Sequence, residues 1–480
     1  MAEVIALAGW PPEVLAYAYA MYSRSSLSIR QSIAKITQEK SGKFFESYYF
    51  GYGHKSIGDN AHIPLAFENI SEIAAYELED EQLWDGQERS TRYQDFAKPD
   101  AYFIPRSVRG SSFHSHIYMK IADFLIFQYA EYSKKCFEWL VANNPRPQEM
   151  KEDAYERALR ARAFDVSRYW LFNGILTNVG QITSARTLED QASRLMSSEY
   201  PELQELGQAM KTACCFEKPF CPEGKDEPPV APTLVKYAAP NQFRTEIREF
   251  MRVEAKKLLT WISELKSERY VKLAPAVSLT DEVVATLLFE ASNYPYNEIL
   301  ELVTRMCEKA KARMIGHVLE KRGPHDLLPR TFCDGYRLQY DISMDRGGER
   351  DLHRHRNCIQ IHQQLNTGRG WDTPELIKKM GLADDYNEGM LKVEIWINDL
   401  KKGVGVDADY LQPFAFRSGT LYKMHLAQNV YMSELRSGTQ GHFSYREVAC
   451  QMHDQLLEVA PFLADKVRVT PFEQENLLKR

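Results

Sequence analysis

Two short segments gather the residue types that bind anions and orient planar rings. In DGQERSTRYQDF, Glu88, Ser90 and Arg92 occupy alternate positions and Tyr93 comes next. In an extended stretch, alternate side chains project to one face. A hydroxyl beside a guanidinium then suits phosphate, where charge-assisted bonds are strongest. The same pattern also describes an exposed polar edge strand. In DRGGERDLHRHRNCIQIHQQLN, Arg350, Arg354 and Arg356 fall within seven residues, with His353 and His355 among them. Apolar flanks suggest partial burial, and buried cations need anionic partners. A ligand's phosphate would serve, and so would Asp345, Glu349 and Asp351 around a solvated basic loop. His353 and His355, sharing a strand face and trailed by Cys358 and His362, also permit zinc. Interleaved arginines oppose a cation, however, and no acidic ligand shares that face, so no metal is assigned. No histidine or lysine near Ser90 is placed to activate it as a nucleophile. No cysteine sits in an activating context.

These segments need helices and strands to hold them. Long amphipathic patterns predict helices from Ser115 (SHIYMKIADFLIFQYAEYSKKCFEWLVANN) and from Asn241 (NQFRTEIREFMRVEAKKLLTWISEL). Strand-like runs begin at Ala61 (AHIPLAFENISEIAAYEL) and Arg330 (RTFCDGYRLQYDIS). Both types occur in each half, so the class is mixed α/β or α+β. Residues 216–240 are dense in proline and charge without helical or strand period, which reads as a linker. A chain of 480 residues is long for one core. The expected division is a first domain at 1–215, the linker, and a second domain at 241–480.

Net charge is -6, which offers no general polyanion surface and argues against a nucleic-acid polymer as partner. MAEVIALAGWPPEVLAY lacks a basic leader, and Pro11 and Pro12 break its apolar run. No window approaches the roughly 20 apolar residues of a membrane span. Eight cysteines without a CxxC pair read as reduced thiols in a cytoplasmic protein.

A faint internal repeat sets ITSART, through Arg186, and SSEYPEL, with Tyr200, against MSELRSG, through Arg436, and HFSYREV, with Tyr445. Together with the two segments above, it resembles a known family. Flavin-dependent thymidylate synthases carry Arg-His-Arg and, eight residues after its first arginine, Glu-x-Ser-x-Arg-Tyr. Here Arg354-His355-Arg356 match the first piece, with His362, Gln364 and Asn366 where the second would fall. Glu88, Ser90, Arg92 and Tyr93 match the second piece, with Asp80-Glu81-Gln82 where the first would fall. Gly53-His54-x-Ser56 resembles an upstream family motif, and Arg186 and Arg436 each resemble its late, base-reading arginine.

The resemblance implies two tandem domains of this type, each an antiparallel sheet packed with long helices. Each half has lost the piece the other keeps. Decay alone would shed pieces without regard to the partner, so one composite site is expected. It implies reductive methylation of dUMP at C5, with FAD as cofactor and NADPH and methylenetetrahydrofolate as co-substrates. The implied catalytic group is Ser90, Arg354 and Arg436. Glu88, Ser90, Arg92 and Arg436 would bind substrate; Ser56, Arg354, His355 and Arg356 would bind the cofactor. The family's flavin-contacting asparagine and arginine align with His425 and Ala427, a departure. Alternatives are a flavin enzyme acting on another nucleotide, or a non-catalytic flavin- or nucleotide-binding homologue. A homodimer imitating the family's tetramer is the expected assembly.

Overall fold

The four strands of eight or more residues each stop where a side chain caps the helix that follows. The computed structural model describes every residue except 1–3, 24, 52–53, 98–100, 225, 261, 263–267, 324–325, 465, 475 and 479–480. The first sheet has the order β1-β3-β2, from β1 (His62–Ser71), β2 (Asp85–Glu88) and β3 (Leu176–Ser184). The second has the order β4-β5-β7-β6, from β4 (Tyr270–Leu273), β5 (Leu338–Asp345), β6 (Ile359–His362) and β7 (Arg417–Met424). The β2–β3, β4–β5, β5–β7 and β6–β7 pairings are all antiparallel. Mixed helix and antiparallel sheet is thus the class expected from the sequence.

The run from Ala61 is extended only to Ser71. The Ser71 hydroxyl then accepts the Ala74 amide at 3.0 Å, and the alanine-, glutamate- and leucine-rich residues beyond it form helix α1 (Glu72–Glu79). The run from Arg330 opens as a 3-10 turn, passes Gly335 at φ 80° and becomes strand only at Leu338. The helices predicted from Ser115 and Asn241 appear as α2 (Ser112–Asn143) and Gln242–Leu258.

One order of elements occurs twice. In the first pass, β1, α1 and β2 precede α2 and α3 (Glu152–Ser167), then β3, α4 (Ala185–Met196) and α5 (Pro201–Cys215). In the second, β5, α6 (Arg346–His353) and β6 precede α7 (Ala383–Val404), then β7, α8 (Leu426–Ser437) and α9 (Phe443–Val459). Both α1 and α6 have 8 residues, and both β2 and β6 have 4. Strand order recurs too, β1-β3-β2 against β5-β7-β6. Asp80-Glu81-Gln82 therefore stand after α1 as Arg354-His355-Arg356 stand after α6.

The chain divides into two compact units, but not at 216–240. The first comprises residues 1–69, 77–88 and 178–242, the second 70–76, 89–177 and 243–480. Within the first unit, the segment read as a linker has no regular structure yet is packed. Ala231, Leu234, Val235 and Ala238 are buried, and the Thr233 and Leu234 amides donate to Glu13 Oε1 at 2.8 and 2.7 Å. Its prolines preclude a helix without precluding a core contact.

In the second unit, β5 and β7 are buried along all eight residues each, because both sheet faces are covered. One face packs Ile359, Ile361 and Leu421 against Phe243, Ile247 and Leu288 of flanking helices. The other packs Tyr340, Ile342 and Tyr422 against Val448, Met452 and Leu456 of α9. Asp345 caps α6 by accepting the Gly348 amide at 2.7 Å. Gly348 is required, since a Cβ there would lie 2.5 Å from Ser444 Oγ. That close approach sets the start of α6 beside the start of α9.

The two passes also meet within this unit. Asn173 donates its amide to the Gln412 carbonyl at 3.1 Å, and Phe414 donates to the Leu171 carbonyl at 2.7 Å. Asn173 and Phe414 each precede their strand by three residues, Leu171 and Gln412 by five. The two bonds thus form a mirrored pair around the Phe172–Pro413 bridge.

Candidate anion-binding site

Arg92 does not lie on a strand. β2 ends at Glu88, and residues 91–93 form a turn in which Ser90 Oγ accepts the Arg92 amide at 3.3 Å. Glu88, Ser90 and Arg92 therefore do not share one pleated face, because a short hydroxyl competes for the backbone just where the ladder stops. Ser90 shapes the turn, and the turn aims Arg92. Its guanidinium grips buried Asp165 of α3 through Nε at 2.7 Å and Nη2 at 3.1 Å. It also donates to Tyr445 Oη at 3.3 Å and to the Gln440 carbonyl at 3.1 Å. Arg92 comes from the first pass and Tyr445 from the second, and both belong to the second compact unit.

The Arg-His-Arg segment also lies off the sheet. His353 closes α6 and Arg354 is its C-cap, so His353 and His355 do not share a strand face. They face different partners: His353 meets the Gln360 carboxamide at 2.9 Å and the Tyr76 carbonyl at 3.2 Å. His355 Nδ1 lies 3.1 Å from the Gln428 carboxamide, and its Nε2 accepts Arg436 Nε at 2.7 Å. The paired-histidine metal reading loses its geometry. Arg350, counted with the basic segment, is spent on buried Glu72 at 2.8 Å. Arg354 is exposed and Arg356 half-buried.

Electrostatics fix the charge of each group. Burial drives the His355 pKa down to about 3, and Arg436 pushes it the same way against Asp351. The imidazole is neutral near pH 7 and holds Arg436 as an acceptor without cancelling its charge. Burial opposes ionisation of Asp351, but Arg168, Arg354, Arg92 and Arg436 outweigh it and hold that carboxyl at about 2. Arg168 is 3.6 Å from Asp351 and donates to the Gly347 carbonyl at 2.8 Å. Arg92 and Arg162 reach Asp165, and Arg168, Arg354, Arg92 and Arg436 act on Asp351, so guanidiniums outnumber these two carboxylates in a partly buried cluster. The Arg436 guanidinium lies 5.3 Å from the centre of the Tyr445 ring.

A cavity of about 1430 Å³ adjoins this region, lined by Val271, Leu273, Tyr336, Arg337, His425 and Phe462 among others. Asn357, next to Arg356, lies 3.3 Å from His425, so the segment after α6 reaches the cavity rim. Its lining mixes apolar residues with Lys272, Asp334, Arg337 and Glu458, so both charge signs face it.

Ser56, Glu88 and Arg186 belong to the first unit. Ser56 is exposed on a 3-10 turn, and Gly53 of its motif lies outside the described residues. Arg186 opens α4 and pairs with Asp59 at 3.2 Å, whereas Arg436 is in the last turn of α8. The two arginines are therefore not positional equivalents. Tyr200 and Tyr445 are not equivalents either, since Tyr200 caps α5 and Tyr445 lies inside α9. Arg194, in the last turn of α4, matches Arg436 more nearly. It is bound by Glu77 at 2.6 Å and Glu81 at 2.9 Å, and Glu81 occupies the position that His355 holds in the second pass. Asp165 and Arg168 were missed; their signal was two charges inside the otherwise apolar AFDVSRYW.

Comparison with known proteins bears on the same regions. Residues 4–220 match the family model described as "Thymidylate synthase complementing protein". The chain is 24% identical to a UPF0159 protein of Chlamydia pneumoniae, over 96% of this chain and 90% of that protein. It is 23% identical to a UPF0159 protein of Thermoplasma acidophilum, over 90% and 89%. Among solved structures it is similar to the flavin-dependent thymidylate synthase ThyX from Helicobacter pylori complexed with FAD and dUMP. That match has a TM-score of 0.29 and 12% identity, and covers 48% of this chain and 96% of that one.

Proposed function

We propose, for a chain whose residues 4–220 match the family model described as "Thymidylate synthase complementing protein", flavin-dependent methylation of dUMP at C5, at a site built from both passes. One observation carries this reading. Arg92 of the Glu-x-Ser-x-Arg piece meets Tyr445, and Tyr445 underlies Arg436, which is held by His355 of the Arg-His-Arg piece. The surplus of guanidiniums over carboxylates there suits an anionic phosphate.

The cluster also suits a large anionic cofactor, with Arg354, His355 and Arg356 as its proposed holders. FAD supplies the hydride chemistry there, with NADPH as reductant and methylenetetrahydrofolate as carbon donor. The side chains bind and stabilise charge. Arg436 offsets negative charge that develops on the uracil, and neutral His355 orients it without quenching it. Arg92, aligned by Asp165, adds charge to the phosphate subsite, and Ser90 holds its turn. Ala427 and His425 offer the flavin no guanidinium where the family has one. That departure favours, as a second reading, a nucleotide-binding homologue of this type in which flavin contact is weakened and catalysis is lost.

The test is tritium release from [5-³H]dUMP with methylenetetrahydrofolate and NADPH. Arg92→Ala and Arg354→Ala are each expected to abolish it, although they lie in different halves. Arg92→Ala leaves buried Asp165 with Arg162 at 3.9 Å as its remaining ion-pair partner, at a cost of up to about 3–5 kcal/mol. Arg92→Ala/Asp165→Asn is expected to regain much of that stability in thermal melts and stay inactive. Full activity in either single variant defeats the composite site.

A further inference from the structure

Arg92 and Arg436 arrive from different passes of the chain, and the geometry points to Tyr445 as the positioning residue that sets their separation. The inference rests on the composite-site reading above. The phenol oxygen accepts Arg92 Nη1 at 3.3 Å, while the Arg436 guanidinium lies 5.3 Å from the ring centre. One rigid side chain therefore touches both cations through different chemistry, a lone pair for one and a π-face for the other.

Tyr445 is itself immobilised. It is buried, at 4% exposure, in the third position of α9. Its ring is tilted at 6.0 Å against His442, whose Nε2 faces the Asp165 carbonyl at 3.0 Å. Asp165 is also the carboxylate that grips Arg92. The loop before α9 is pinned as well, because Arg162 donates to the Thr439 and Gly441 carbonyls at 2.9 and 3.1 Å. Two like charges near one another repel. Arg92 is anchored on one side by its two bonds to Asp165, and Tyr445 takes its Nη1 while presenting its ring to Arg436. The tyrosine thereby fixes the relative placement of the two charges, which is preorganisation of the binding site.

The experiment titrates the full chain with dUMP and, separately, with inorganic phosphate, for wild type, Tyr445→Phe, Tyr445→Leu, Arg92→Lys and Arg92→Lys/Tyr445→Phe. Tyr445→Phe keeps the ring and loses only the acceptor. It is expected to weaken binding of both probes by about 3- to 10-fold, the range for one hydrogen bond, with an unchanged melting temperature. Tyr445→Leu is expected to weaken it further. In turnover, Tyr445→Phe is expected to raise KM and spare kcat, whereas a merely structural role would reduce the active fraction and hence kcat. The Arg92→Lys and Tyr445→Phe effects should be non-additive, since both act on one contact. Additive effects, or wild-type affinity in Tyr445→Phe, overturn the inference. A wild type that binds phosphate but not dUMP defeats the nucleotide reading, and the phosphate cycle still decides the role of Tyr445. A wild type that binds neither probe defeats both.

Discussion

His355 does its work as a neutral acceptor, and its contribution to stability varies with pH accordingly. Burial beside Arg436 sets its folded pKa near 3, below the roughly 6.5 of an unfolded histidine. The unfolded chain therefore takes up the proton first. The stabilisation is whole above about pH 6.5 and is lost as pH falls from there toward 3. At pH 5 the loss from this residue is on the order of 2 kcal/mol. Urea midpoints at pH 7 and pH 5 should show it, and His355→Gln should flatten the difference; an equal drop in that variant places the effect elsewhere. The histidine was legible in the sequence as part of an arginine-rich triplet, but its charge state was not. That depends on Arg436, which is distant in sequence and enters through a helix whose phase no local pattern reveals. Ser90 and Arg92 were likewise legible as residue types and placed wrongly. Alternation suggested a strand face, while the side chain of Ser90 had already turned the backbone.

Helix α1 and helix α6 end in the same register, and on the proposed reading the three residues after each one decide which pass keeps an anion site. After α6 the chain supplies Arg354, His355 and Arg356. After α1 it supplies Asp80, Glu81 and Gln82, and Glu77 and Glu81 close on Arg194. A guanidinium paired with two carboxylates has no net positive charge to offer, so each chain is expected to bind one phosphate. Calorimetric titration should give one site in the wild type. Glu77→Gln/Glu81→Gln should add a second, weaker one; an unchanged stoichiometry would mean Arg194 is shielded by more than charge. The repeated element order was only faintly visible in sequence. The match of Arg186 with Arg436 pointed to duplication but compared a helix start with a helix end. Spacing between α1 and β2, and between α6 and β6, is what aligns the two passes. That spacing becomes readable only when the first helix is recognised inside a segment that looked like continuous strand.

At the scale of the molecule, the division into compact units cuts across the division into repeats. Residues 70–76 and 89–177 join 243–480, which is why Arg92 and Arg436 share a unit although 344 positions separate them. Composition suggested a boundary at 216–240, since prolines and charges mark breaks in regular structure. They do not report burial, and Glu13 holds that segment within the first unit. The expected assembly of two chains, four repeats in all, is checked by light scattering after gel filtration; a mass of one chain rejects it. The mirrored hydrogen bonds of Asn173 and Phe414 carry a further consequence. In these two bonds each pass offers its neighbour the same donor and acceptor that it receives, so they alone do not tell self from other. Were the passes separate polypeptides, this pair of bonds would also allow like to meet like, and every such union would lack either Arg92 or Arg436. Peptide continuity puts the unlike partner within reach in every molecule.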